Sequence, residues 1–273
     1  MRIALCNEVV RDLPFERQCA LAASLGYDGL EVAPFTLGAD PHLLPASRRA
    51  ALRRVAAESG VVLTGLHWLL MSPAGLSITD LDAAPRTRDV IERLLGLCAD
   101  LGGTYVVHGS PAQRRLPPQG AAEARRLATD TLAHAARAAA QAGIVYCLEP
   151  LAPPEANFVT SIAEAAEVVQ AVGSPALRTM IDTCAAGLGE AETPEALIAR
   201  WMPASLLAHV HLNDPNKRGP GQGAMRFGPI LSALREQGYA GWIGVEPFDY
   251  TPDGETCAAR AIGYLRGLLE RAR

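Results

Sequence analysis

Val145-Tyr-Cys-Leu-Glu149 is a short apolar run that ends on an acid, and three later segments repeat this arrangement. The segments are Met180-Ile-Asp182, Leu207-Ala-His-Val-His211 and Ile243-Gly-Val-Glu246. Their end residues follow one another at intervals of 33, 29 and 35 positions, and each interval is about the length of a strand followed by a helix. The chain therefore repeats a strand that ends on a residue able to bind a metal.

Strand and helix patterns alternate along the whole chain. Eight runs are predicted as strands, at Ile3–Cys6, Gly29–Val32, Val61–Leu66, Thr104–Val107, Ile144–Leu148, Thr179–Ile181, Leu206–His211 and Trp242–Val245. Several of the helical patterns between them end in a glycine, which is typical of a helix that returns to a strand. Eight such units predict an α/β fold, a single (β/α)8 TIM barrel over residues 1–273. An open, doubly wound sheet is the alternative, but it gives no reason for ligand-type residues on four successive strand ends.

The carboxyl ends of the strands of a TIM barrel meet at one mouth, where active sites lie. Glu149, Asp182, His211 and Glu246 are therefore expected to surround one pocket. Carboxylates and an imidazole are hard oxygen and nitrogen ligands, which favour Mn2+, Mg2+ or Co2+, with Zn2+ as a further candidate. The same carboxylates are candidates for proton transfer.

Two of these assignments compete with a structural explanation. Asp182 could cap the turn or helix that follows it. His211 shares a strand face with His209, two positions earlier, and we assign the residue nearer the strand end as the ligand and His209 as a hydrogen-bonded core histidine. Cys184 lies near Asp182 but has no base paired with it in the sequence, so we do not assign it as a nucleophile.

Three residues in the first half of the chain also end predicted strands. Glu31, His67 and His108 are expected to point to the same mouth and to contact the substrate. The alternative is that each is a hydrogen-bonded polar residue at the rim. Trp68 and Phe248 are candidates for apolar walls of the pocket.

The segment Asn213–Gly223 is a glycine-rich loop after the seventh predicted strand. Its cations, Lys217 and Arg218, are able to polarise a substrate oxygen or hold an anion, and we assign Lys217 to the substrate. Binding of a phosphate and a solvated turn remain alternatives for this loop. Glu155, in the loop after the fifth strand, is expected to have no role.

Composition excludes several classes of function. The 273 residues carry a net charge of −4 and are 49% apolar, and an acidic chain argues against a nucleic-acid partner. We expect no membrane span, because no apolar run approaches about 18 residues. Polar Asn7-Glu8 follows the first strand, so we expect no export signal. The six scattered cysteines then predict reduced thiols and a cytoplasmic protein.

The chain resembles the xylose-isomerase-like TIM-barrel superfamily over nearly its whole length. It is most similar to the sugar phosphate isomerase/epimerase group, which includes D-tagatose and D-psicose 3-epimerases, hydroxypyruvate isomerase and inosose-converting enzymes. The segments that carry the resemblance are Gly26–Glu31, Cys147–Pro150, Ile181–Thr183, His209–Asp214, Pro220–Gly223 and Gly238–Phe248.

The resemblance implies that Glu149, Asp182, His211 and Glu246 bind one divalent metal, usually manganese, magnesium or cobalt. It also implies that Glu149 and Glu246 are the acid and base of a sugar isomerase or epimerase, which abstracts a proton from a keto sugar or a related polyol through a metal-bound enediolate. A dehydratase acting on an inosose-type substrate, an endonuclease IV-like phosphodiesterase and a non-catalytic sugar-binding barrel are the alternatives. The expected partner is a small carbohydrate, with no nucleic acid and no membrane. A homodimer and a homotetramer are the assemblies to consider.

One position departs from the family pattern. The 3-epimerases usually carry Asp-x-x-His on the sixth strand, but here Asp182 is followed three positions later by Ala185. Lys217 falls where those enzymes typically carry an arginine that binds the substrate. We therefore expect an intact metal site and weak activity on free ketohexoses.

Overall fold

The computed structural model describes residues 1–271 and contains a closed barrel of eight parallel strands. The strands are β1 (Arg2–Cys6), β2 (Gly29–Val32), β3 (Val62–Leu66), β4 (Tyr105–His108), β5 (Val145–Leu148), β6 (Leu177–Asp182), β7 (Leu207–Leu212) and β8 (Trp242–Val245). They pair in chain order, and β8 closes the ring by pairing with β1. The predicted (β/α)8 barrel is confirmed.

Helices follow the strands and surround the barrel. They are α1 (Phe15–Leu25), α2 (Ala46–Glu58), α3 (Ala84–Leu101), α4 (Ala121–Ala142), α5 (Ile162–Val172), α6 (Thr183–Gly189), α7 (Pro194–Trp201), α8 (Phe227–Glu236) and α9 (Gly254–Arg271). The glycines predicted to end helices do so in the left-handed region, with φ of 89° at Gly26 and 67° at Gly143. None of these helices within residues 1–271 is long and apolar enough to cross a membrane.

Buried side chains form two layers. The larger layer fills the space between strands and helices, while a smaller one fills the inside of the barrel. The inner layer is made of Ala4, Tyr105, Val107, Cys147, Met180 and Trp242. Because side chains alternate along a strand, these residues fix which strand-end side chains point inward.

Two local features differ from the sequence prediction. The short helix α6 begins directly after β6, where the sequence pattern indicated no helix. In β3, the pairing with β2 shifts between Leu30 and Val32, so that β3 contains one extra residue. A bulge of this kind reverses which side of the sheet the next side chains face.

Candidate active site

Four strand-end acids and histidines meet at the inner mouth of the barrel. Cys147, Met180 and Trp242 face inward, so Glu149, Asp182 and Glu246 also face inward by alternation along β5, β6 and β8. In β7 the pairing with β6 shifts by one residue, and His211 lies inward with its ring beside the two glutamates. One donor atom from each side chain lies within 4.8 Å of the others, and all four residues are buried. The residues are Glu149, Asp182, His211 and Glu246.

His211 presents one ring nitrogen to this cluster. Its Nδ1 lies 2.8 Å from Oε2 of Glu246 and 3.8 Å from Oε1 of Glu149. Its Nε2 lies 3.0 Å from Oε1 of Glu31. A proton held on Nε2 by Glu31 leaves the lone pair of Nδ1 directed at the two glutamates, as a metal ligand requires.

Asp182 both caps helix α6 and faces the cluster, so the two explanations considered for it are compatible. Its Oδ1 accepts the main-chain N–H of Ala185 at 2.7 Å, and its Oδ2 accepts the amide of Asn213 at 2.8 Å. Burial, with the neighbouring charge of Glu149, raises the pKa of Asp182. Burial also raises the pKa of Glu246, although His211 opposes this shift. A divalent cation would neutralise these crowded carboxylates, so the donor set fits a metal.

Glu31 is the centre of a sealed hydrogen-bond network. Its Oε2 accepts the hydroxyl of Tyr105 at 2.7 Å and lies 3.1 Å from Nε2 of His209. Burial alone would raise the pKa of Glu31, but His209 and His211 together lower it well below its usual value. Glu31 is 0% exposed, which corrects the prediction that it contacts the substrate. His209 is the buried, hydrogen-bonded histidine that we expected.

His67 faces inward because of the bulge in β3, but it does not reach the pocket. Its Nε2 lies 2.5 Å from Oε2 of Glu8 and 3.9 Å from Oε1 of Glu246. Burial alone would lower the pKa of His67, but Glu8, together with Glu31 and Glu246, outweighs burial and raises it to about 9. His67 is fully buried and lies beside Glu246. It does not line the cavity, where the predicted contact with the substrate would be made. The sequence analysis did not identify Glu8.

His108 faces away from the mouth. It follows Val107, which points into the barrel, and alternation therefore turns His108 outward. Its Nδ1 lies 2.9 Å from the hydroxyl of Tyr146, and burial together with Arg114 lowers its pKa to about 3. The prediction that His108 contacts the substrate is therefore corrected: it is a neutral, buried residue behind the site.

A cavity of about 240 Å3 opens over the acid cluster. Glu149, Asp182 and Glu246 line it, and so does Lys217, which was predicted to bind the substrate. Glu155 also lines it, and the expectation that its substitution costs little stays a prediction. The remaining lining residues are Trp68, Gly109, Leu151, Cys184, Ala185, Leu188 and Phe248.

The loop that carries Lys217 is fixed by its own main chain. The N–H of Lys217 donates to the carbonyl of Asp214 at 2.7 Å. Its carbonyl accepts the N–H groups of Phe248 and Asp249, at 2.7 and 2.8 Å. The backbone of Lys217 is left-handed, with φ of 70°, and such a conformation costs about 1–3 kcal/mol in a residue other than glycine. These contacts join the loop after β7 to the segment after β8.

Two glycines allow the cluster to pack closely. A Cβ atom at Gly109 would collide with the carboxylate of Glu149. A Cβ atom at Gly244 would lie 2.7 Å from both Oε2 of Glu31 and Cδ2 of His211. Neither glycine was singled out from the sequence, because a close approach between strands leaves no mark in a single sequence.

Comparison with known proteins identifies the family. The sequence model described as Xylose isomerase-like TIM barrel matches residues 19–268. The chain belongs to this family. The chain is similar to a D-psicose 3-epimerase of Agrobacterium fabrum, which is 28% identical over 83% of this chain and 76% of the relative. A fructoselysine 3-epimerase of Escherichia coli O157:H7 is 24% identical over 94% of each chain.

A solved structure shares the whole fold. The 3-keto-D-glucoside 4-epimerase of E. coli superposes with a TM-score of 0.83 over 98% of this chain and 99% of its own, at 22% identity. At that identity the likeness shows the fold alone. The relatives named as epimerases support the prediction that this member of the xylose isomerase-like TIM barrel family is an enzyme.

Proposed function

We propose that the chain is a divalent-metal-dependent isomerase or epimerase of a keto sugar or a related polyol carbonyl compound. The names of its relatives support the class of substrate. The acid cluster beneath an open cavity supports proton transfer next to a carbonyl group. Glu149 and Glu246 are the proposed acid and base, because both line that cavity.

The observation that carries the proposal is the convergence of Nδ1 of His211 and three buried carboxylates, whose donor atoms all lie within 4.8 Å of one another. Glu149, Asp182, His211 and Glu246 would hold the cation. When bound, a divalent cation supplies positive charge beside the substrate oxygens and so acidifies the C–H bond next to the carbonyl group. Mn2+, Mg2+ and Co2+ suit this ligand set.

The two glutamates would then move one proton. One carboxylate removes the proton from the carbon next to the carbonyl, and the same or the other carboxylate returns a proton. Return to the opposite face of that carbon is epimerisation, and return to the neighbouring carbon exchanges the positions of the carbonyl and the hydroxyl group. Lys217, from its fixed loop, would orient a substrate oxygen.

Glu31 is proposed as a positioning residue and not as a substrate ligand. Its Oε1 lies 3.0 Å from Nε2 of His211, and this contact selects the tautomer that leaves Nδ1 free. Hydrogen bonds of this kind orient metal-ligating histidines and raise their basicity.

The test combines metal analysis with solvent exchange. Protein stripped with a chelator is expected to lose the exchange of the substrate α proton for deuterium in D2O, and added Mn2+ or Co2+ is expected to restore it. A screen of ketoses, inososes and their phosphates by NMR supplies the substrates. Full activity in a rigorously metal-free preparation would contradict the proposal, whereas zinc in a purified sample would not, since it binds such sites more tightly than most divalent ions.

A further inference from the structure

The residues that line the cavity restrict the class of substrate that the proposed enzyme would bind. We propose that the substrate is an uncharged keto sugar that carries an apolar substituent, such as a keto glycoside with a hydrocarbon or aromatic aglycone. This inference rests on the proposed function. It is argued from the charges and the apolar side chains that line the cavity.

The charges of the cavity disfavour a phosphorylated sugar. Four carboxylates line it, and Lys217 is the single cation among the described lining residues. A bound divalent cation would compensate two carboxylates and Lys217 a third, which leaves one in excess. Like charges about 4 Å apart repel by roughly 4 kcal/mol near a protein surface. A phosphate dianion would therefore enter an already negative cavity.

The glycine-rich loop does not offer a phosphate cradle. Its N–H groups are used within the loop: that of Asn216 donates to Asp214 Oδ1, that of Arg218 to Asn216 Oδ1 and that of Gln222 to the carbonyl of Gly219. The guanidinium of Arg218 lies 2.9 Å from Asp249. The sequence left phosphate binding and a turn as alternatives for this loop. These contacts favour a turn whose polar groups hydrogen-bond to one another.

A second nearby guanidinium is also turned away from the cavity. Arg114 is fully buried and donates to the main-chain carbonyl of Glu149. It does not line the cavity. An anionic substituent on the substrate would therefore have Lys217 as its partner and no second cation from the described lining residues.

One wall of the cavity is aromatic. The rings of Trp68 and Phe248 meet edge to face, with centroids 6.2 Å apart. Phe248 is 38% exposed, and Trp68 holds a left-handed backbone with φ of 50°. Strained conformations of this kind persist where the surroundings enforce them and are frequent at binding sites. The pair presents apolar ring surface to the cavity.

A second wall is aliphatic. Ala185 and Leu188 lie three positions apart on helix α6 and so share one face of it. Both line the cavity together with Leu151, and Leu188 is 54% exposed. An imidazole at position 185 would place a polar group in this wall, whereas alanine leaves it apolar. A substituent between the two walls would remove Leu188 and Phe248 from water, which is favourable.

The experiment compares matched substrates. Exchange of the α proton in D2O is followed by NMR for the 3-keto derivatives of methyl and phenyl β-D-glucopyranoside, for D-fructose and for D-fructose 6-phosphate. The phenyl compound is expected to have a kcat/KM at least about tenfold above that of the methyl compound, since burial of a phenyl group is worth about 1.5–3 kcal/mol. The phosphate is expected to be the poorest substrate.

The outcomes separate the two proposals. Equal kcat/KM for the methyl and phenyl compounds, or a preference for the phosphate, would overturn this inference and leave the proposed function standing. Absence of exchange with every compound in this panel and in the wider screen of ketoses and inososes would overturn the proposed function itself.

Variants of the rim give an independent test in a folded protein. Leu188→Ser and Phe248→Ser are expected to raise KM for the phenyl compound several-fold more than KM for the methyl compound. Leu81→Ser is the matched control, because Leu81 is 73% exposed and lies outside the cavity. Equal effects on both compounds, or none, would show that the rim does not contact the substituent.

Discussion

The two halves of the barrel mouth carry similar side chains but use them differently. The ends of β5 to β8 supply Glu149, Asp182, His211 and Glu246, and the carboxylates among them line an open cavity. The ends of β1 to β4 and the residues after them supply a set that is buried and hydrogen-bonded within the protein. That set comprises Glu8, Glu31, His67 and His108, and Tyr105, at the start of β4, donates to Glu31 from below.

The difference teaches that an acid or a histidine at a strand end is not by itself a site residue. Burial removes a side chain from the substrate, while its hydrogen bonds still act on the residues beside it. Glu31 does so through His211, and His67 lies beside Glu246. We expect substitutions in the second half of the barrel mouth to lower catalytic turnover. Substitutions in the first half should change metal affinity or stability.

The largest effect is expected from Glu149→Gln and Glu246→Gln. Each keeps the approximate shape of the side chain but removes the basic oxygen, so turnover should fall by about 10²-fold or more. The measurement is the initial rate of α-proton exchange in D2O at saturating Mn2+. Glu236→Gln, an exposed position at the end of α8, is the control and should match the wild type. A near-normal rate for Glu246→Gln would refute the two-carboxylate mechanism.

Glu31→Gln tests the first half of the barrel mouth, whose side chains are hydrogen-bonded within the protein. Loss of the carboxylate beside Nε2 of His211 is expected to weaken metal binding by about 10–100-fold. Titration of the stripped protein with Co2+, followed by calorimetry, measures this directly and does not depend on turnover. Tyr105→Phe removes a hydrogen bond to the other carboxylate oxygen and should weaken binding less. Unchanged Co2+ affinity in a folded Glu31→Gln variant would remove Glu31 from its positioning role.

Lys217→Ala should have a smaller effect and a different signature. Loss of a charged hydrogen bond to the substrate is worth roughly 1.5–3 kcal/mol, so kcat/KM should fall by at least about tenfold. Bound metal should stay constant, since Lys217 contacts the substrate and not the ion. Arg260→Ala, at an exposed position on α9, provides a comparison for loss of a positive charge. Loss of metal from the Lys217 variant would contradict this assignment.

The smallest effect on catalysis is expected at His108. His108→Leu removes the hydrogen bond to Tyr146 at the back of the mouth, and a buried group left without a partner costs about 1–3 kcal/mol of unfolding free energy. Urea unfolding should detect this loss of unfolding free energy. Tyr146→Phe removes the same hydrogen bond and should also lower the unfolding free energy. KM should not change. A raised KM with unchanged stability would restore His108 to the substrate site.

The sequence was sufficient to predict the barrel and to select the four residues that meet over the cavity. Both follow from periodicity, because an apolar run fixes a strand and its last residue reaches the mouth. The same rule failed at His108, where inward-facing Val107 already set the alternation. At His67 the facing direction depends on an extra residue in β3, and a bulge has no clear sequence signal.

The rest of the site depends on contacts between distant segments. Glu8 lies in a short 3-10 turn after β1 and reaches His67 across the mouth. Glu155 lies in a loop whose residues show no helical or strand periodicity. Helix α6 begins where Asp182 supplies both its cap and a cluster carboxylate. These relations are set by tertiary packing, which local propensity does not describe.

The pairing of β8 with β1 has a consequence for the folding of the protein. The ring closes between the first and the last strand of the chain, and Glu246 stands directly after that last strand. The cluster of four donor residues is therefore complete only when β8 has docked between β7 and β1. A folding intermediate that lacks this one strand would have most of the barrel wall but would be short of one ligand of the proposed metal.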